Sequence, residues 1–255
     1  MARWRGRTAL VTGASAGIGR QLVLALARAG MRVVAVARRE SRLRELVADA
    51  EGLGAEGPIL ALPLNVTDEA AVESIPSRIQ EAFGAEAGID VCVNNAGIGI
   101  GGTALMDGDT ARWRHILDVN VLALCMTTRV AVQDMERRGA WGQVVNLCSM
   151  AGHRVPPGNG GFYAGTKHMV RALTQALRNE AHARGVPLRV GCVSPGFVDT
   201  EFFLVRYGGD REAATLPIDR PLAAEDVAAA VLFQLAVPEH VDVNDIMMRP
   251  LQQQF

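Results

Sequence analysis

Cysteine is scarce in this 255-residue chain, and the little there is forms no pattern. Cys92, Cys125, Cys148 and Cys192 include no C-x-x-C pair, and three of them lie in apolar, strand-like runs. This excludes a disulfide framework and a thiolate metal site and leaves buried, reduced thiols. The histidines at positions 115, 153, 168, 182 and 240 lack metal-ligand spacing, so no metal is expected. Neither sign of charge is in excess. The formal net charge is −1, with no block of like charge, which argues against nucleic acid as a partner and against a charged tail. Long apolar runs are missing too. The basic stretch 1–7 is followed by four strand-like residues and then Thr12-Gly13, not by the apolar core of a secretory signal. The apolar face at 22–29 is far too short to span a bilayer. A cytoplasmic protein without a membrane span is the expectation.

What is present is a regular alternation. Short β-branched runs at 8–11, 32–37, 59–64, 89–93, 144–148, 188–193 and, more weakly, 245–248 alternate with helix-period stretches. Those stretches lie at 18–29, 42–50, 68–83, 110–138, 162–184 and 224–236. Ser41, Thr67 or Asp68, and Asp109 stand where helix caps belong. Strands that are apolar throughout suit a parallel sheet covered on both faces. The expected fold is therefore α/β: a single Rossmann-type doubly wound parallel sheet of about seven strands, helices on both faces, one domain over 1–255. The segment 197–221, with Gly208-Gly209 and two prolines, reads as a loop or lid over a site.

The first strand runs into Thr12-Gly13-Ala14-Ser15-Ala16-Gly17-Ile18-Gly19 and then a helix. Glycines there let backbone N–H groups approach a pyrophosphate, and the helix N-terminus favours its negative charge. Gly13, Ser15, Ala16, Gly17, Ile18 and Gly19 are thus candidate dinucleotide contacts. At the end of strand two an NAD site wants a carboxylate for the ribose hydroxyl. Here Ala37 is followed by Arg38 and Arg39, cations suited to a 2′-phosphate, which indicates NADP(H). Glu40 reads as helix-start charge. Asn65 and Val66 would border the adenine, and Asn94-Asn95-Ala96-Gly97 lie at the ligand-binding edge after strand four.

Tyr163 and Lys167 are four residues apart, on one face of a helix, and Ser149 ends the preceding strand. Hydride transfer to a ketone leaves an alkoxide that needs a proton. A free phenol has a pKa of ~10. An ammonium ~4 Å away, at an effective dielectric of ~20, stabilises the phenolate by up to ~4 kcal/mol. Tuned in this way, Tyr163 is a candidate general acid or base, and Ser149 would polarise the carbonyl.

With these motifs the sequence resembles the short-chain dehydrogenase/reductase family over essentially its full length. The resemblance implies that Tyr163 is the acid/base and that Ser149 positions substrate. It implies that Lys167 lowers the phenol and binds the nicotinamide ribose, and that Asn120 helps hold a proton-relay water. Pro195, Gly196, Val198 and Thr200 would border the nicotinamide. The family's Asp after strand three is Asn65 here. Two segments, Ser149-Met-Ala-Gly-His-Arg-Val155 and Asp245-Ile-Met-Met-Arg-Pro250, are similar to the subgroup of dehydrogenase/reductase member 11 and insect farnesol dehydrogenases. That subgroup is NADP-linked and acts on ketosteroids, isoprenoid alcohols and dicarbonyls.

Aromatic residues make up 5% of the chain, yet Phe162, Phe197, Phe202, Phe203 and Tyr207 crowd the two loops expected above the nicotinamide. Together with Val155, Pro156 and Pro157 they suggest an apolar pocket for a hydrophobic ketone or alcohol. No dedicated phosphate or carboxylate clamp is evident, although Arg154 and Arg206 in those loops keep one open. An NAD-linked alcohol dehydrogenase using Glu40 and a non-catalytic cofactor-binding regulator are the competing readings. The long apolar helices at 110–138 and 162–184 further suggest a homodimer or homotetramer.

Overall fold

The computed structural model describes residues 1–157 and 160–254. The strands are β1 (Thr8–Thr12), β2 (Arg32–Ala37), β3 (Ile59–Pro63), β4 (Val91–Asn94), β5 (Gly142–Leu147), β6 (Leu188–Pro195) and β7 (Asp245–Met248). The helices are α1 (Gly17–Arg28), α2 (Glu40–Gly52), α3 (Glu69–Glu73), α4 (Ile75–Phe83), α5 (Thr110–Leu117), α6 (Ala123–Arg138), α7 (Gly161–Arg184), α8 (Glu201–Arg206) and α9 (Ala224–Ala236). The strands form one sheet in the order β3-β2-β1-β4-β5-β6-β7, and every pair is parallel.

The pleat sends alternate residues into two layers. Ala9 and Val11 of β1 pack with Leu22 and Leu26 of α1, Leu43 of α2 and Val231 of α9. Leu10, between them, packs on the other face with Ile75 and Ile79 of α4 and Val130 and Met135 of α6. Each such buried aliphatic side chain contributes roughly 1.5–3 kcal/mol, an upper figure given a compact unfolded chain. The chain builds outward from β1 to β3 and then crosses back to β4. The crevice at the carboxyl ends of β1 and β4 is where ligands bind in such sheets.

Four local expectations are corrected. The stretch 68–83 is two helices, because Pro76 has no N–H to continue a helix and is tolerated in the first turn of α4. Arg39, not Ser41, stands at the cap of α2, whereas Asp68 and Asp109 do cap their helices through side-chain bonds. The helical run 110–138 contains a π-turn, Asp118–Leu122, between α5 and α6. That run, Thr110–Arg138, is long and apolar enough to cross a membrane by length and composition alone. Its most apolar window is 50% buried, with Val130, Ala131 and Met135 against the sheet. Segment 197–221 carries the short helix α8.

Beneath the crevice runs a buried polar ladder. Asn94 Nδ2 donates to Asn146 Oδ1 at 2.8 Å, and Asn146 Nδ2 donates to Thr174 Oγ1 at 2.8 Å. Thr127 Oγ1 donates to Asn94 Oδ1 from α6. The ladder ties β4 and β5 to α6 and α7, the elements that carry the site. Asn146→Ala breaks both links and strands buried partners, so it should cost about 2–4 kcal/mol. A urea midpoint lowered at constant slope is the expected result; an unchanged midpoint contradicts the ladder's structural role.

Candidate active site

The turn between β1 and α1 is packed against the start of the loop after β4. Gly13 has φ +68°, and a β-carbon there would lie 2.8 Å from Asn95 Nδ2 and 2.9 Å from Ala96 Cα. At Gly19 it would lie 2.3 Å from the Gly13 carbonyl oxygen. Asn95 Nδ2 donates to Thr12 O at 2.9 Å, and Thr12 Oγ1 accepts from Ala96 N at 3.0 Å. Gly17, the first residue of α1, faces Thr200: a β-carbon would lie 3.0 Å from Thr200 Cγ2. The glycine turn at 15–17 and the 197–221 segment at 199–201 line one groove at the N-terminus of α1, with the β4 loop packed against the turn. Such a groove fits a pyrophosphate.

At the edge of that groove Arg39 donates to Ser15 Oγ at 3.1 Å and to Glu201 Oε2 of α8 at 2.9 Å. Arg38 is exposed, and no hydrogen bond or ion pair engages its side chain among the described residues. Glu40 pairs with Arg44 at 2.6 Å along α2. Val66 is buried, while Asn65 is exposed and its Oδ1 accepts from Thr67 N at 3.2 Å. Asn94 stands apart from the other candidates: its amide is committed to the buried ladder, not to the groove.

Ser149, Tyr163 and Lys167 meet at the carboxyl edge of β5. Ser149 Oγ accepts from Ala151 N at 3.1 Å, which turns the chain into a short 3-10 segment, Met150–Gly152. Its own proton reaches Pro195 O only at 3.5 Å, a long bond easily exchanged for a better acceptor. Lys167 is the single lysine in the sequence; every other basic side chain counted with it is arginine. It is buried, and Nζ donates to Leu147 O at 2.8 Å. Nζ lies 5.9 Å from the centre of the Tyr163 ring. A β-carbon on Gly97 would be 3.5 Å from Lys167 Nζ and 3.5 Å from Asn120 Oδ1, so these groups flank one spot. Asn120 occupies the π-turn, and such interruptions recur at functional sites. Its amide exchanges two bonds with Ile98, accepting from N at 2.8 Å and donating to O at 2.9 Å. It thereby fixes the loop after β4.

Burial dominates the electrostatics. It pushes the Tyr163 phenol well above the ordinary tyrosine range, with hydrogen bonding to Ser149 and the charge of Arg206 acting in the opposite sense. It likewise pushes the Lys167 ammonium down. The ammonium lies 5.9 Å from the centre of the Tyr163 ring and is turned toward Leu147 O.

Over the Tyr163 ring lies an aromatic cluster. Phe202 packs on Tyr163 at 5.5 Å, Phe203 on Phe202 at 5.3 Å and Phe197 on Phe203 at 5.6 Å. Phe162 instead stacks on Trp113 at 5.5 Å. Val155, Val205 and Tyr207 face solvent. Pro195 ends β6, Val198 pairs with Leu222, and Thr200 caps α8. Gln253, near the C-terminus, was not foreseen: it accepts from Phe197 N at 2.9 Å and sits where a β-carbon on Gly196 would intrude.

A doubly wound sheet with a glycine groove and a Ser–Tyr–Lys group beside it is a dinucleotide-dependent oxidoreductase. Known proteins agree. A family model for short chain dehydrogenases matches residues 7–206. Dehydrogenase/reductase SDR family member 11 of Bos taurus is 41% identical over 257 residues, covering 99% of both chains. Farnesol dehydrogenase of Aedes aegypti is 36% identical over 261 residues, covering 100% of both. The closed form of a serine dehydrogenase complexed with NADP+ superposes with a TM-score of 0.87 at 33% identity, covering 97% of this chain and 96% of that one. The chain belongs to the short-chain dehydrogenase family.

The burial of Tyr163 gives a pH prediction. In a Tyr207→Phe background the phenolate absorbance reports Tyr163 alone, since the sequence has two tyrosines. Burial disfavours the charged phenolate, so without cofactor the titration midpoint should lie above the free value of ~10. A midpoint at or below that value would contradict the stated burial.

Proposed function

We propose that this chain is an NADP(H)-dependent carbonyl reductase and alcohol dehydrogenase, acting on a hydrophobic ketone or on a secondary or isoprenoid alcohol of ketosteroid or farnesol type. The observation that carries the reading is the convergence of Ser149, Tyr163 and Lys167 at the end of the glycine groove. A nicotinamide cofactor held by that groove would supply or accept the hydride. In reduction, the Ser149 hydroxyl trades its long bond to Pro195 for the substrate carbonyl oxygen and polarises it. The Tyr163 hydroxyl gives its proton to the alkoxide oxygen as the hydride arrives at carbon. In oxidation the phenolate takes that proton back. Lys167 is placed to hold the ribose hydroxyls and, once the cofactor is seated, to favour the phenolate. Asn120 keeps the β4 loop and the groove in register, and a water beside it would pass the proton onward.

The cofactor preference rests on charge. Ala37 offers no carboxylate, Glu40 is paired with Arg44, and Arg38 and Arg39 stand at the groove's edge. The NADP+ in the related serine dehydrogenase structure supports the same reading. Replacing Arg39 or Arg38 with Ala removes a charge-assisted contact to the 2′-phosphate, worth about 1.5–3 kcal/mol. NADPH affinity should drop about tenfold or more with NADH affinity unchanged. Equal affinity of the unaltered protein for both cofactors would favour the NAD-linked alternative through Glu40.

The substrate reading rests on Phe197, Phe202 and Phe203 above Tyr163, and the similarity to farnesol dehydrogenase supports it. With a series of neutral ketones of rising chain length, kcat/KM should climb by up to ~0.8 kcal/mol per added CH₂ until the pocket is full. Tyr163→Phe should abolish turnover throughout the series while NADPH binding persists. A flat profile, or substantial turnover by that variant, overturns the assignment. As an assembly we propose a cytoplasmic homodimer or homotetramer of one catalytic domain, joined through the long helices, where Leu122 is 53% and Met169 47% exposed.

A further inference from the structure

Arg206 is the last residue of α8, and its setting differs from that of the paired arginines around it. Its carbonyl oxygen accepts from Gly101 N at 3.0 Å, which stitches α8 to the loop after β4. The side chain then runs along the substrate side of that loop. A β-carbon on Gly99 would lie 3.3 Å from Arg206 Cδ and 2.7 Å from Phe202 Cζ. One on Gly160, just before α7, would lie 3.5 Å from Arg206 Nη2. The guanidinium therefore lies between the β4 loop and the start of the helix that carries Tyr163, beside the ring that packs on Tyr163.

Arg206 is half-buried, its guanidinium carbon lies 5.7 Å from the centre of the Tyr207 ring, and among the described residues no oxygen accepts from it. Arg206 Nε is buried without a hydrogen-bond partner, and no carboxylate pairs with the group among the described residues. Glu201, on the same helix, is turned away to Arg39. The other arginine with a buried, unpaired Nε, Arg189, spends its terminal nitrogens on carbonyls at 237, 238 and 241 and on Gln143. A desolvated N–H of a cation without an acceptor is unfavourable, and the group that relieves it most is an anionic oxygen pair matched to the guanidinium fork. The positive charge already reaches the Tyr163 phenol, holding it lower than burial alone would.

We propose that Arg206 anchors an oxyanion, a carboxylate or sulfonate, at the far end of a hydrophobic substrate, so that among hydrophobic ketones and alcohols those carrying a terminal acid group are preferred. This rests on the reading of Tyr163 as the proton donor to a reduced carbonyl. The acid group sits on Arg206, the carbon chain lies along Phe202 and Phe203, and the reacting oxygen is held by Ser149 and Tyr163.

The test compares a medium-chain oxo acid with its methyl ester, which keeps the carbonyl and the length but removes the charge. With NADPH the unaltered protein should prefer the acid by about tenfold or more in kcat/KM. Arg206→Met should lose that preference, mainly through KM, and leave the ester within about threefold. Arg206→Lys, which keeps charge but not the fork, should recover part of it. Calorimetric binding of hexanoate against hexanol to the NADP⁺ complex reads the same site without chemistry. Selective hexanoate binding that disappears in Arg206→Met supports the anion site even if no carbonyl is turned over, in which case the catalytic reading alone fails. Equal handling of acid and ester, or an acid preference that survives Arg206→Met, overturns the proposal while leaving the carbonyl reductase in place.

Discussion

No atom can be added at Gly19: a β-carbon there would overlap the Gly13 carbonyl oxygen at 2.3 Å. This close approach holds the N-terminus of α1 against the turn that leaves β1. Asn95 seals it from the other side, donating to the carbonyls of both Thr12 and Gly13. The three pieces meet where the sheet order reverses, between β1 and β4, so one contact fixes both halves of the crevice. The groove's glycines are demanded by backbone packing within the protein before any ligand is considered. Cofactor binding then uses a shape that folding already requires.

From this knot the chemical groups are placed in layers. Lys167 is buried and held by a single carbonyl, Leu147 O, at the end of β5. Burying an ammonium with so little compensation is unfavourable unless other acceptors arrive. Ribose hydroxyls beside it would supply them. Its substitution by arginine, the chain's usual cation, would place a broad planar fork where a compact point charge fits. Asn120 gives the same lesson: a π-turn is a poor way to build a helix, yet it aims an amide at both polar atoms of Ile98.

The layered fold was legible from period alone, because continuous apolar strands between amphipathic helices leave few other architectures. The site was legible where chemistry depends on residue type at a fixed spacing, as with Tyr163 and Lys167. Less was legible where geometry depends on side-chain direction. Asn94 looks like an edge residue, but the pleat turns its amide into the ladder with Asn146, while its neighbour Asn95 faces the groove. The break at Pro76 was written in the sequence and overridden by a strong helical period on either side. Gln253 acts on Phe197 across a large sequence separation, and no local pattern marks it.

Two cations therefore bracket Tyr163, the buried Lys167 from below the groove and the half-buried Arg206 from the substrate side, and they act on the phenol at different times. Burial raises the phenol and favours the protonated form, which is the form that reduction consumes. Arg206 opposes burial while its charge is uncompensated. An anionic substrate group seated on it cancels that opposition, so the phenol is most firmly protonated when such a substrate is in place and a proton must be given. When the alcohol product leaves, the uncompensated charge returns, and the phenolate left by the reaction is stabilised until solvent reprotonates it. Substrate charge would thus be read twice, once for affinity and once for the protonation state of the acid. A neutral substrate of the same shape would receive neither effect.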